Sequence, residues 1–150
     1  MKLKVYLSGE IHSSWRREII EGIESSGLEI EILTPVTDHT ASDNVGVDIL
    51  GLEEKPFWKD HKAAKINSLR INTAISKSDL VVVKFGEKYR QWNAAFEAGI
   101  AVARGKPLIT IHSPELTHPL KEIDASAIAV AEDPQQVVRI LDYVLKDYNT

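Results

Sequence analysis

The sequence predicts a doubly wound α/β domain with a five-stranded parallel sheet flanked by helices. Three observations carry that prediction. Short apolar segments of strand length alternate along the chain with longer segments of helical periodicity. One short segment, Leu80-Val81-Val82-Val83, is apolar throughout, as a central parallel strand buried on both faces must be. The length, 150 residues, fits a single domain over 1–150, which can bury about 70% of its unfolded surface.

Leu3, Val5 and Leu7 alternate with Lys2, Lys4 and Tyr6 in the first predicted strand, which Ser8-Gly9 ends. Trp15, Ile19, Ile20 and Ile23 follow at helical spacing, and Gly27 closes that helix. Leu28, Ile30 and Ile32 alternate with Glu29 and Glu31, a strand with one polar face that belongs at or near a sheet edge. Residues 36–59 hold Asp38, His39, Asp43, Asp48, Glu53, Glu54, Phe57 and Trp58 around one apolar run, Val45 to Leu50. They are predicted to be a long loop forming a wall or lid, with a variable insertion as the plainer alternative. A long helix runs through Ala63, Ala64, Ile66, Leu69, Ile71 and Ile75, and Asp79 opens the third strand. After Phe85-Gly86 a third helix extends to Arg104, with Gly105 as its C-cap and Pro107 leading into Leu108-Ile109-Thr110-Ile111. Ala127 to Ala131 is a weaker fifth strand. Asp133-Pro134 caps a last helix with Val137, Val138, Leu141, Val144 and Leu145 on its apolar face. Right-handed crossovers then give the strand order 2-1-3-4-5, a flavodoxin- or Rossmann-like sheet.

Composition narrows the function. The chain has no cysteine, which excludes a disulfide framework, thiolate metal sites and a Cys nucleophile, and fits a reducing, cytoplasmic setting. No segment approaches the apolar length needed to span a bilayer, so no membrane partner is predicted. With a net charge of −4 and interspersed signs, a broad nucleic-acid surface is not expected, whereas a small phosphate pocket is compatible. No GxGxxG follows the first strand and Arg104-Gly105-Lys106-Pro107 is no Walker loop. The histidines at 12, 39, 61, 112 and 118 lack the spacing of a helical metal pair. Neither a metal nor a cofactor is predicted.

On such a sheet, ligands bind beyond the strand carboxyl ends where the order reverses. Two segments meet there, Ser8 to Ser14 and Phe85 to Asn93. The third helix carries Trp92, Phe96, Gly99, Ile100 and Ala103 at core spacing, and Glu97 falls off that stripe. A plain solvated face is one reading. Its neighbours, however, are Ala94, Ala98 and Ala101 rather than charges, which points to close packing against another chain or a pocket wall and to a perturbed carboxylate. Trp58 and Tyr89 are candidate stacking aromatics. Ser13, Ser14 and Arg16 open a helix and could hold a phosphate or carboxylate, although plain N-capping is the commoner use.

Val5-Tyr6-Leu7-Ser8-Gly9, Ser78 to Val83, and Phe96-Glu97-Ala98-Gly99-Ile100-Ala101 leading to Gly105-Lys106-Pro107 resemble the nucleoside 2-deoxyribosyltransferase-like superfamily. Within it, GEIHSSWR and FGEKYRQWNAAFEAG look most like the YtoQ family, with similarity over nearly the whole chain. The resemblance implies a five-stranded parallel sheet, Glu97 as nucleophile, and Tyr6 hydrogen-bonded to it. It also implies subunits that complete each other's sites, in a homodimer or larger homo-oligomer. The chain departs at two positions where the transferases carry Asp, near Gln91 and Asn72. The reaction implied is N-glycosidic cleavage or deoxyribosyl transfer on a small nucleoside or nucleotide, with Glu10, His12 or Glu87 as general acid. Ser8, Gly9, Ser13, Arg16, Trp58, Gly86, Tyr89, Gln91 and Asn93 are the expected binding residues. The competing expectation is a non-catalytic nucleotide- or metabolite-binding module on the same fold.

Overall fold

A computed structural model describes residues 2–88 and 91–146. Among them, five strands alternate with helices in the order β1 (Leu3–Gly9), α1 (Trp15–Ser25), β2 (Ile30–Leu33), α2 (His39–Leu50), α3 (Pro56–Lys77), β3 (Leu80–Lys84), α4 (Trp92–Ala103), β4 (Leu108–Ile111), α5 (Thr117–Asp124), β5 (Ala129–Ala131) and α6 (Pro134–Leu145). The sheet is parallel throughout and ordered β2-β1-β3-β4-β5, as predicted. The side-chain period of two divides each central strand between two cores. Val5 and Leu7 of β1 and Leu80 and Val82 of β3 pack with Trp15, Ile19 and Ile23 of α1 and Val137, Val138 and Leu141 of α6. Tyr6, Val81 and Val83 face the other way, onto Ile75 of α3 and Ala94, Ala98 and Ala101 of α4. Asp133 caps α6 by accepting from the Gln136 N–H. No helix among the described residues is long and apolar enough to cross a membrane.

Three expectations are corrected. Residues 36–59 are not one loop: they hold α2 and the first turn of α3. Asp38 caps α2 through the Ala41 N–H. Gly46, with no side chain, lets α2 lie directly on the backbone of α3 at Lys62 and Ala63. A helix not anticipated from the sequence, α5, precedes β5. The core stripe assigned to α4 is reversed: Trp92 and Phe96 are 70% and 69% exposed, Gly99 and Ala103 are exposed, and only Ile100 of the five is half-buried. The buried face is Ala94, Glu97, Ala98 and Ala101, itself at perfect helical spacing. Small side chains let α4 settle close to β1 and β3; aromatic rings there would hold it off. The alanine face is therefore internal and not a contact for another chain.

Candidate active site

Tyr6 and Ser8 lie two apart in β1 and point to the same face, the one α4 covers. Both are fully buried, and both donate to Oε2 of Glu97, the phenol at 3.0 Å and the Ser8 hydroxyl at 2.5 Å. Glu97 is only 8% exposed. A carboxylate removed from water needs such donors, or its burial becomes costly. Burial pushes its pKa up; the Ser8 and Tyr6 hydrogen bonds and the Arg16 charge oppose this without cancelling it. Burial, with the Glu97 charge beside it, also drives the Tyr6 phenol far up, which keeps it protonated and donating.

The loop after β1 is built as rigidly. Gly9 has φ 112°, and a Cβ there would lie 2.1 Å from the Lys84 carbonyl oxygen, so only glycine fits where β1 passes β3. The Glu10 N–H donates to that same carbonyl. Arg16 is buried and donates to three loop carbonyls: Nε to Leu7 at 3.1 Å, Nη1 to Glu10 at 2.7 Å and Nη2 to Gly9 at 3.0 Å. Trp15 Nε1 adds a bond to the Glu10 carbonyl. The Glu10 carboxylate accepts from the N–H groups of His12 (2.6 Å) and Ser13 (3.2 Å) and from the Ser13 hydroxyl. Burial alone would raise Glu10, but the Ser13 hydroxyl, the His12 N–H and the Lys84 charge outweigh it and hold the carboxyl below its usual range.

Over this floor opens a cavity of about 600 Å³, of ligand-binding size. Gly9, Glu10, His12, Gln91, Asn93 and Glu97 line it; Tyr6 and Ser8 lie behind Glu97. The other expected residues are placed differently. Ser13 and Arg16 border a smaller cavity on the far side of the loop, with the Ser13 hydroxyl on Glu10 and the Arg16 guanidinium on carbonyls. Gly86 packs against the Glu10 side chain, and Glu87 is exposed and outside the lining. Trp58 is not on the wall: it packs edge-on to Phe57 and His61 at the start of α3. Tyr89 lies outside the described residues. Asn72 is also away from the cavity, accepting from Arg104.

The far wall is made by Pro35, Val36, His39, Ser42, Asn67, Arg70 and Ile71: the stretch 36–59 expected to form a wall supplies Val36, His39 and Ser42, but sequence reasoning missed Asn67, Arg70 and Ile71 of α3, and it took Trp92, which also lines the cavity, for core. Asn67, Arg70 and Ile71 share one helical face, and Asn67 Nδ2 bonds both the carbonyl and the hydroxyl of Ser42 at 3.1 Å, tying α2 to α3. The i, i+3, i+4 spacing was visible; which side of α3 looks past the strand ends was not. Among the described residues no cluster of His, Cys, Asp or Glu could hold a metal ion.

The architecture is that of the nucleoside 2-deoxyribosyltransferase-like proteins. A 2-deoxyribosyltransferase from Bacillus psychrosaccharolyticus matches over 97% of this chain and 93% of its own, with a TM-score of 0.54 at 17% identity. A CMP N-glycosidase from Clostridium botulinum matches over 93% and 98%, with a TM-score of 0.51 at 16% identity. In sequence, the family described as nucleoside 2-deoxyribosyltransferase YtoQ matches residues 6–145. The uncharacterized protein YtoQ of Bacillus subtilis (strain 168) is 44% identical over 146 residues, 97% of this chain and 99% of that protein. The chain belongs to the YtoQ family.

Proposed function

We propose that this protein cleaves the N-glycosidic bond of a small nucleoside or nucleotide, releasing the base to water or exchanging it for another. The observation that carries the reading is Glu97: a buried carboxylate on the wall of a ligand-sized cavity, with two hydroxyl donors on one oxygen. Tyr6 and Ser8 both donate to Oε2 and leave Oε1 as the attacking oxygen. Oε1 attacks the anomeric carbon as the bond to the base nitrogen breaks, through an oxocarbenium-like transition state, and a glycosyl ester forms. The departing nitrogen takes the bonding electrons and needs a proton. Of the three expected acids, His12 is the one we assign, because Glu10 is held ionised by its donors and Glu87 lies outside the cavity. Water or a second base then attacks the ester and restores Glu97. Gln91 and Asn93 supply amides for the base or sugar. Gly9, with Ser13, Gly86 and Arg16 bracing the loop, shapes the floor. The 2-deoxyribosyltransferase and the CMP N-glycosidase of the same fold make both kinds of small substrate reasonable.

The test is a screen of nucleosides and nucleotides for released base, with and without an acceptor base. Glu97→Gln is nearly isosteric, so folding and ligand binding persist while base release falls at least roughly 100-fold. A binding module is the second reading. It is favoured by one observation: among the described residues lining the cavity, the carboxylate other than Glu97 is Glu10, which is unsuited to donate a proton. That reading predicts no turnover by the wild type and ligand affinities that Glu97→Gln barely alters. Turnover that survives Glu97→Gln undiminished removes Glu97 from the nucleophile's role.

A further inference from the structure

We propose that the cavity contains a subsite for the 5′-phosphate of a nucleoside monophosphate, formed by Arg70 with His39. The proposal rests on the glycosidic reading of Glu97 and narrows its substrate class from nucleosides and nucleotides to 5′-monophosphates. Two elements bring these groups to one space: His39 is the first residue of α2, and Arg70 comes from α3. The His39 imidazole stacks on that of His12, the assigned acid, with ring centroids 5.4 Å apart and planes 26° from parallel, which places the phosphate end of a ligand beside its reacting end.

The sequence offered Arg16 as the phosphate ligand, but its three donors are committed to the carbonyls of Leu7, Gly9 and Glu10. Arg70 is its opposite. It is exposed, and its hydrogen bond to the Thr34 carbonyl is 3.5 Å long, beyond the range of a good N–H···O bond. Among the described residues it makes no salt bridge. The carboxylates lining the cavity do not neutralise it, because Glu10 is held by His12 and Ser13 backbone and hydroxyl donors, and Glu97 by Tyr6 and Ser8. An exposed guanidinium lining a cavity is suited to a doubly charged oxyanion. A base or a sugar hydroxyl gives no reason for that charge. The phosphate on the sugar's 5′ carbon is the anionic group of a small nucleotide, and it would anchor the sugar while its anomeric carbon meets Glu97.

The experiment is calorimetric titration of the whole protein with inorganic phosphate, with a set of nucleosides and with their 5′-monophosphates, alongside base release from the same compounds. Monophosphates are expected to bind roughly 10- to 100-fold more tightly than the matching nucleosides, and inorganic phosphate to compete with them. Arg70→Ala brings that ratio close to one, Arg70→Lys retains part of it, and Lys65→Ala, on the same helix outside the cavity, leaves it unchanged. Circular dichroism checks that each variant is folded. Equal affinity of the wild type for both ligand classes, a ratio that survives Arg70→Ala, or no binding of any monophosphate overturns the subsite. Selective, Arg70-dependent binding without base release keeps the subsite and removes the glycosidic reading. Equal release from both classes keeps the glycosidic reading and removes the subsite.

Discussion

Glu97 occupies a position that favours neutrality, and the proposed chemistry needs it charged. Its pKa is raised, first by burial, so the folded protein binds its proton more tightly than the unfolded chain does. The sign follows from linkage: the stability tied to that proton is fully present below the ordinary carboxylate range and is lost as the pH rises through the raised folded value. At neutral pH the ionised Glu97 therefore weakens the fold. Glu97→Gln is expected to raise the melting temperature at pH 7–8, with the gain shrinking as the pH falls toward 4; melting curves across that range check it. The variant would be the more stable and the less active protein, the trade that a functional carboxylate makes. Tyr6→Phe removes one donor from Oε2 and lets the Glu97 pKa climb further. Base release is then expected to fall roughly tenfold, less than for Glu97→Gln, with the acid limb of kcat/KM moved to higher pH. A limb that does not move would show that Tyr6 only fills space.

The helices show where the sequence was legible and where it was not. The strands could be read because Leu80–Val83 is an apolar run that needs burial on both faces, Gly105 and Pro107 mark the entry to Leu108–Ile111, and β2 was placed at or near an edge by Glu29 and Glu31. Glu97 was singled out by its alanine neighbours, and it is buried among them, but the helix was turned the wrong way round. The reading assumed that large apolar residues face inward; on α4 close approach to the sheet selects small ones, and Trp92 and Phe96 are left outside. α2 escaped notice because it packs through Gly46 and the Ser42–Asn67 bonds rather than a broad apolar stripe. α5 carries Pro119, which reads as a breaker, yet the residue sits in the first turn, where no N–H is missed. The far wall of the cavity depends on α2, and this can be tested. In Gly46→Ala the new methyl carbon would lie 2.4 Å from the Ala63 backbone nitrogen, so α2 must lift from α3. A loss of about 1–3 kcal/mol is expected, seen as a lower melting temperature, together with weaker ligand binding because His39 and Ser42 move with the helix. Unchanged stability would mean that the helix pair yields without cost.

Across the molecule, exposed apolar side chains include Trp92, Phe96 and Val102 on α4, Phe57, Trp58 and Leu69 on α3, and Ile49 and Leu50 at the end of α2, with further ones at Leu52, Ile128, Val130 and at Tyr143, Val144 and Leu145 on α6. The homo-oligomer that the family resemblance implies is proposed to use the outer side of α4, where Trp92 and Phe96 stand exposed beside the cavity mouth, rather than the buried alanine face. Sedimentation velocity at micromolar concentration should find a dimer or larger species, and Phe96→Glu should yield folded monomer; a wild type that sediments as a monomer would rule this association out. The bonds inside the site carry a different consequence. Tyr6 and Ser8 meet Glu97 across 91 and 89 positions of the chain, and every strand pairing is parallel. No β-hairpin among the described residues can nucleate the sheet locally, and closing so long a loop costs entropy that β1 and β3 return only once paired. As the chain leaves the ribosome, Tyr6 and Ser8 emerge long before Glu97 has been synthesised. The Tyr6–Ser8–Glu97 cluster is thus expected to assemble among the last native contacts, so the return of the buried Glu97 environment after denaturation would time the completion of the whole sheet.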